Sequence, residues 1–149
     1  MVACTNAIPY EYGMKGAPQF TAFSGNLGTT ASLLGGFAIN GVTATLLSGP
    51  QRIFAGTSGR LYEYIGGAWT DRSRGANYGG VSAWDFAQFG DATLAANLMN
   101  VLQRSPGLGS AFADVAASPQ SLCVETAAGF VLLFNTVEGT YGTSPDRWW

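Results

Sequence analysis

The sequence predicts an all-β protein, a partial β-propeller made of four-stranded antiparallel blades. A unit of four short β-rich runs, separated by turn residues, recurs about every 38–40 residues, which is the spacing of propeller blades. The composition agrees, because 21 of the 149 residues are glycine and 13% are aromatic. Glycine-rich turns between β-branched and aromatic runs favour short strands joined by tight hairpins.

The N-terminal residues 1–40 do not follow the repeat. We expect an irregular, extended arm there, with a turn fixed by Pro9. Residues 21–24 give a weak strand prediction. Residues 32–39 predict a second weak strand, and a short buried helix over residues 33–39 is the alternative.

The first blade is predicted over residues 41–80. Each break between its runs contains a glycine, and Gly66-Gly67 is the clearest two-residue hairpin turn. Its four strands are predicted at residues 42–47, 53–57, 60–65 and 68–73.

The second blade is predicted over residues 81–117, because the pattern returns about forty positions later. Both fourth strands carry an aromatic residue two positions before an aspartate, Trp69 with Asp71 and Phe112 with Asp114. That spacing places the two side chains on one face of a strand. The matching runs are 93–97 with 53–57, 100–104 with 60–64, and 111–115 with 68–72.

The first half of a third blade is predicted over residues 118–149. Residues 122–129 align with 84–91, and residues 130–135 with 92–97. The second strands of the second and third blades are runs of small or apolar residues, which suits strands that are covered on both faces.

The number of blades predicts an incomplete ring. About two and a half blades cannot close a propeller, which needs about four, and open edge strands invite pairing with other chains. We therefore expect a truncated chain, or one that completes its sheet against a partner. The candidate interface residues at its end are Tyr141, Trp148 and Trp149.

An ordinary β-sandwich is the alternative fold, because its turns also recur every 8–12 residues or so. It is less favoured, since sandwiches do not usually repeat across four strands in register.

The residue types exclude several kinds of site. Without histidine, Ser-His-Asp and Cys-His catalysis and nearly all zinc sites are excluded. The glycine-rich stretches match no nucleotide-binding motif, and no run of aspartates predicts a calcium site. The net charge is −2 and the arginines are scattered, so a basic stripe for nucleic acid is missing. We expect no catalytic residue, no cofactor and no metal, and hence no enzyme.

Paired carboxylates are the remaining catalytic option, because glycosidases use two of them. Asp71 and Asp114 occupy equivalent repeat positions, which favours a structural role in each blade, such as turn hydrogen bonding. The full set of candidates is Asp71, Asp85, Asp91, Asp114 and Glu125.

Two tryptophans could serve packing or recognition. Packing between neighbouring blades is the preferred interpretation of Trp69 and Trp84, and stacking on sugars is the alternative. Two isolated cysteines, Cys4 and Cys123, predict buried small hydrophobes and a reducing compartment rather than a disulfide. No apolar run reaches the ~18 residues of a spanning helix and no signal peptide is visible, so we expect no membrane insertion.

With these motifs, the sequence resembles the propeller-bearing tail proteins of tailed bacteriophages and prophages. That group includes the tail nozzle (tail tubular protein B) and packaged-DNA stabilisation hub proteins of short-tailed phages. The resemblance spans most of residues 3–149, and it implies an internal segment, since the members are several times longer. The matching features are Asn6-x-Ile8-Pro9 with Gly13, residues 52–57, Leu61-Tyr62-Glu63, Trp69-Thr70-Asp71, residues 84–90 and residues 130–135.

The resemblance implies a non-enzymatic structural component of a phage tail, hub or nozzle. It would be made in the host cytoplasm, reside in the virion, and contact other tail subunits in an oligomeric assembly. A carbohydrate-binding or glycan-cleaving propeller segment is the alternative. A degenerate prophage product without a role of its own is a third reading.

Overall fold

A computed structural model describes residues 7–10, 13–16, 27, 38–140 and 142–148 of the chain. Within that part, every regular element is a β-strand. The all-β prediction is therefore confirmed, whereas a ring of propeller blades stays a prediction. The strand predicted at 21–24, most of segment 32–39, and the candidate interface residues Tyr141 and Trp149 lie outside the described residues.

The N-terminal arm contains a short antiparallel hairpin of β1 (Ala7–Tyr10) and β2 (Gly13–Gly16). Pro9 lies inside β1, opposite Met14, rather than in the predicted turn. A two-stranded hairpin tolerates proline, because both of its strands are edge strands. On the open side of each strand, no neighbouring strand needs a hydrogen bond from the missing N–H.

The first sheet is an antiparallel meander in the order β3-β4-β5-β6. Its four strands lie where the sequence predicts the first unit. The strands are β3 (Asn40–Thr45), β4 (Gln51–Gly56), β5 (Leu61–Ile65) and β6 (Ala68–Asp71).

The second sheet repeats this meander, but its last two strands are shorter than predicted. Val101 leaves the sheet and forms an isolated bridge to Gln120. The side-chain oxygen of Asn97 accepts hydrogen bonds from the N–H groups of Met99 and Asn100, and this turn delays the third strand. The strands are β7 (Asp85–Phe89), β8 (Ala92–Ala96), β9 (Gln103–Ser105) and β10 (Ala113–Asp114).

The third sheet has three strands, one more than the predicted half unit. They are β11 (Gln120–Ala127), β12 (Phe130–Glu138) and β13 (Gly142–Trp148). The segment of β13 resembles a loop in sequence because it contains Pro145. It forms a strand because β13 lies at the edge, and its pairing with β12 is irregular between Phe134 and Thr136.

The three sheets pack against one another in chain order. One apolar cluster joins the first sheet to the second, and another joins the second to the third. β8 is buried along its whole length, as expected for a strand covered on both faces. The first cluster contains Phe54, Leu61, Tyr78, Val81, Trp84, Ala95 and Phe112, and the second contains Ala87, Leu94, Ala96, Leu102, Val124 and Leu133.

Candidate interaction surface

Charged groups are buried between the first and second sheets. The guanidinium of Arg52 donates to the carboxylate of Glu63 over 2.6 Å, and Arg72 contacts the other carboxylate oxygen at 3.2 Å. Arg52 also reaches the second sheet, where it donates to the hydroxyl of Ser105 at 2.9 Å. Because both arginines and the carboxylate find partners within the protein, this cluster joins two sheets rather than awaiting a ligand.

Trp84 packs between the first and second sheets. Its side chain is 3% exposed, and its indole N–H donates to the carbonyl of Thr57 at 2.8 Å. Tyr78 meets the indole edge-on with ring centroids 4.8 Å apart. The packing interpretation of Trp84 is therefore confirmed, and its indole is not available for stacking on a sugar.

Trp69 has a different position, on the side of the first sheet that faces away from the second. It is half-buried, with its ring centroid 5.3 Å from that of Tyr64. It lines a hollow of about 270 Å³ whose other walls include Gly41, Ile53 and Ala55. Trp69 thus does not pack between the first two sheets.

Each of the predicted carboxylates has a structural partner in the described part of the chain. Asp71 accepts from the N–H of Ser73 at 2.8 Å, as turn residues do, and lies 3.3 Å from Arg60. Asp114 accepts from Gln103 and Arg74, both at 2.7 Å, and these two hydrogen bonds hold its pKa below the ordinary value. The equivalent aspartates therefore both have structural contacts, but with different kinds of partner.

The remaining carboxylates connect the turns and sheets. Asp91 accepts from the N–H of Ser48 at 2.8 Å, linking the first turns of two sheets. Asp85 in β7 accepts from the N–H of Val124 in β11, also at 2.8 Å. Glu125 accepts from the N–H of its neighbour Thr126 at 2.9 Å.

The prediction that Cys123 is buried is wrong, because its side chain is exposed. It lies on the face of β11 opposite to that of Val124, which packs against the second sheet. Partial burial, and then the nearby charge of Asp85, raise the pKa of its thiol. Cys4 lies outside the described residues.

The outward side of the third sheet is an apolar surface, which we call the third-sheet face. Cross-strand pairs place Cys123 beside Phe134, Glu125 beside Leu132, and Ala127 beside Phe130. Phe130 is 68% exposed and Phe134 is 39% exposed. Sequence reasoning missed these residues, because an unbroken apolar run was expected to be covered on both faces. They are identified by comparing β12 with β8, the equivalent strand of the second sheet. Every residue of β8 is buried, whereas Phe130 and Phe134 of β12 are exposed.

The predicted interface residue Trp148 belongs to the same sheet. It pairs with Phe134 across β12 and β13. The end of the chain and the third-sheet face therefore meet along one strand pair, while Tyr141 and Trp149 lie outside the described residues.

Other kinds of site receive no support from the described part of the chain. It contains no group of three or more potential metal ligands. It also contains no helix that is long and apolar enough to cross a membrane. A second cleft of about 410 Å³, lined by Val101, Gln120 and Val137 among others, lies where the second and third sheets meet. No protein-family model matches the chain, and no curated protein matches it.

Proposed function

We propose that the chain is a structural component of a bacteriophage tail, in the tail hub or nozzle, that acts through protein–protein contacts. The third-sheet face carries this proposal. Large apolar side chains, Phe130 and Phe134 foremost, are exposed on a sheet whose other side is packed. Exposed contiguous apolar surface on a folded protein is typical of an interaction site.

The packing of the sheets supports a propeller-like arrangement. β7 of the second sheet lies against β3 of the first, and β11 of the third lies against β7. The first strands of successive sheets are thus neighbours, as the innermost strands of successive blades are in a propeller. In the described part of the chain these three sheets do not close, and a ring of this kind would need further sheets.

The engagement of the charged side chains supports a role without catalysis. Glu63 is held between two arginines, and Asp85 is committed to the main chain of Val124. Catalytic carboxylates need one another at a suitable distance and access to a substrate. The partners we propose are other tail subunits in an oligomeric assembly, with the protein made in the host cytoplasm and incorporated into the virion.

Carbohydrate binding is the second candidate, favoured by Trp69 alone. Its ring beside Tyr64 borders the hollow of about 270 Å³, and aromatic side chains there could stack on a sugar. A glycan array with the purified chain separates the two candidates. The tail proposal expects no bound glycan, whereas binding that Trp69→Ala abolishes would favour the second candidate.

The direct test of the tail proposal is the protein content of purified particles. Phage particles induced from a bacterium that carries the gene are purified on a density gradient and analysed by quantitative mass spectrometry. The proposal predicts several copies of the chain per particle. A chain that stays in the lysate and is missing from particles would contradict it.

A further inference from the structure

We propose that the third-sheet face docks onto the outward face of the first sheet in a second copy of this chain, head to tail. The inference rests on the proposed role in protein assembly and names the partner of that surface. The receiving surface, which we call the first-sheet face, consists of the residues of β3 and β4 that point away from the second sheet. Gly41 and Thr43 are exposed there, Ile53 is half-buried, and Ala55 is 5% exposed at the floor of the hollow.

The two interfaces between sheets of the chain are built from cross-strand pairs at equivalent positions of each sheet. Val42 and Phe54 of the first sheet pair with each other and pack in the cluster that contains Phe86 and Ala95, which form a pair in the second sheet. The rings of Phe54 and Phe86 stack with centroids 6.4 Å apart. One pair in each sheet thus packs forward, and the pair beside it receives the preceding sheet.

The interface between the second and third sheets uses the equivalent positions. Ala87 and Leu94 pair with each other and pack forward against Val124 and Leu133, which pair in the third sheet. The arrangement therefore occurs twice within one chain, and the same register extends to the third sheet.

On the third sheet, the forward-packing positions have nothing described against them. Glu125 and Leu132 form the pair equivalent to Ala87 and Leu94, and Cys123 and Phe134 form the next pair. Phe134 is 39% exposed, whereas its equivalent Ala96 is 1% exposed. The register that covers Ala96 thus leaves a phenyl ring accessible at the same position one sheet later.

The first sheet carries the complementary receiving pair. Gly41 and Ala55 pair with each other at the positions of Phe86 with Ala95 and of Val124 with Leu133. Because both residues are small, the sheet has a hollow of about 270 Å³ there. A cavity of about 150 Å³ is enough to bind benzene, so the hollow can accept the ring of Phe134. Large side chains on one face and small ones on the other are complementary in volume.

Docking of this kind is heterologous, since two different faces meet. An open assembly of this kind keeps one unused face at each of its two ends. Such contacts generate a closed ring if the rotation between copies closes, and an open chain otherwise.

The test compares three variants of the full chain by sedimentation velocity over a range of concentrations. Phe134→Glu places a charge on the third-sheet face, and Thr43→Glu places one on the first-sheet face. Leu47→Glu is the matched control, because Leu47 is 85% exposed in a turn outside both faces. Circular dichroism and thermal unfolding verify that each variant folds as the wild type does.

We expect the wild type and Leu47→Glu to associate alike, and each face variant to associate roughly tenfold more weakly or not at all. An equimolar mixture of Phe134→Glu and Thr43→Glu should give a 1:1 dimer that grows no further, because one intact face remains on each. A wild type that stays monomeric, a Thr43→Glu variant that associates as the wild type does, or a mixture without dimers would each overturn the inference. A monomeric wild type would still leave the tail proposal standing, since other tail subunits could cover the face.

Discussion

The guanidinium Nε of Arg52 lies 2.6 Å from a carboxylate oxygen of Glu63, and both side chains are completely shielded from solvent. Arg72 holds the second oxygen of the same carboxylate. Because Arg52 also donates to Ser105 in the second sheet, this pair contributes to the alignment of the first two sheets.

Glu63→Gln should strongly destabilise the protein. The substitution leaves Arg52 buried without its counter-charge, and breaking a buried pair in this way costs about 3–5 kcal/mol. Urea unfolding followed by circular dichroism measures the loss. Arg60→Gln is the control, since it removes a partly exposed pair with Asp71 and should cost less than about 1 kcal/mol. Equal losses in the two variants would contradict the account of the buried cluster.

Phe112→Ala should cost about 3–5 kcal/mol in the free energy of unfolding. Phe112 is 2% exposed and meets the ring of Phe54 edge-on at 5.2 Å between the first and second sheets. Phe130→Ala removes the same atoms from the exposed third-sheet face and should cost about 0.5 kcal/mol or less in the monomer. The comparison is made by urea unfolding at a concentration where the chain is monomeric. If Phe130→Ala proved as costly, its side chain would have to be buried.

Alkaline pH should weaken the fold through Tyr78. Burial raises the pKa of its phenol from 10.0 to about 12. The folded state therefore holds this proton more tightly than the unfolded state does, so the contribution to stability is complete below pH 10 and is lost as the pH rises toward 12. Tyr78→Phe should show a shallower fall of stability over that interval, measured by urea unfolding at each pH. An equally steep fall in the variant would exclude Tyr78 as the group responsible.

Glu125→Ala should tighten self-association of the chain. Its repeat equivalent, Ala87, is buried in the interface between the second and third sheets, whereas Glu125 must bring a charge to the docked surface. Asp91→Asn is the control, because it removes the same charge from a turn outside both faces. Sedimentation velocity should show stronger association for Glu125→Ala than for the wild type and the control. Weaker association would place Glu125 in a favourable contact and contradict the proposed register.

Local patterns predicted most of the strands, and non-local contacts account for what they missed. The hairpin at Gly66-Gly67 and the turn at Gly90-Asp91 are specified by neighbouring residues, so their strands could be found from the sequence. β13 was missed because Pro145 is typical of loops, and only its position at the sheet edge allows it there.

The third-sheet face could not be identified without knowing how the strands pair and how the sheets pack. A continuous apolar run at 130–134 is equally compatible with a strand covered on both faces and with one that keeps an apolar face open. Which is true depends on whether a further sheet packs against it, and that information is not contained in the run itself. The contact of Arg52 with Glu63 joins two strands, and Asp85 reaches a different sheet, so neither follows from spacing along the chain.

The central claim is that the chain enters a phage tail through the third-sheet face, and incorporation of variants into particles tests it most directly. The gene is replaced by the wild type, by Leu47→Glu, or by the double variant Phe130→Glu with Phe134→Glu, each shown to fold in isolation. Mass spectrometry then counts copies of the chain in purified particles. We predict wild-type copy numbers for Leu47→Glu and a loss of roughly tenfold or more for the double variant. Particles that carry the double variant at the wild-type copy number would contradict the claim.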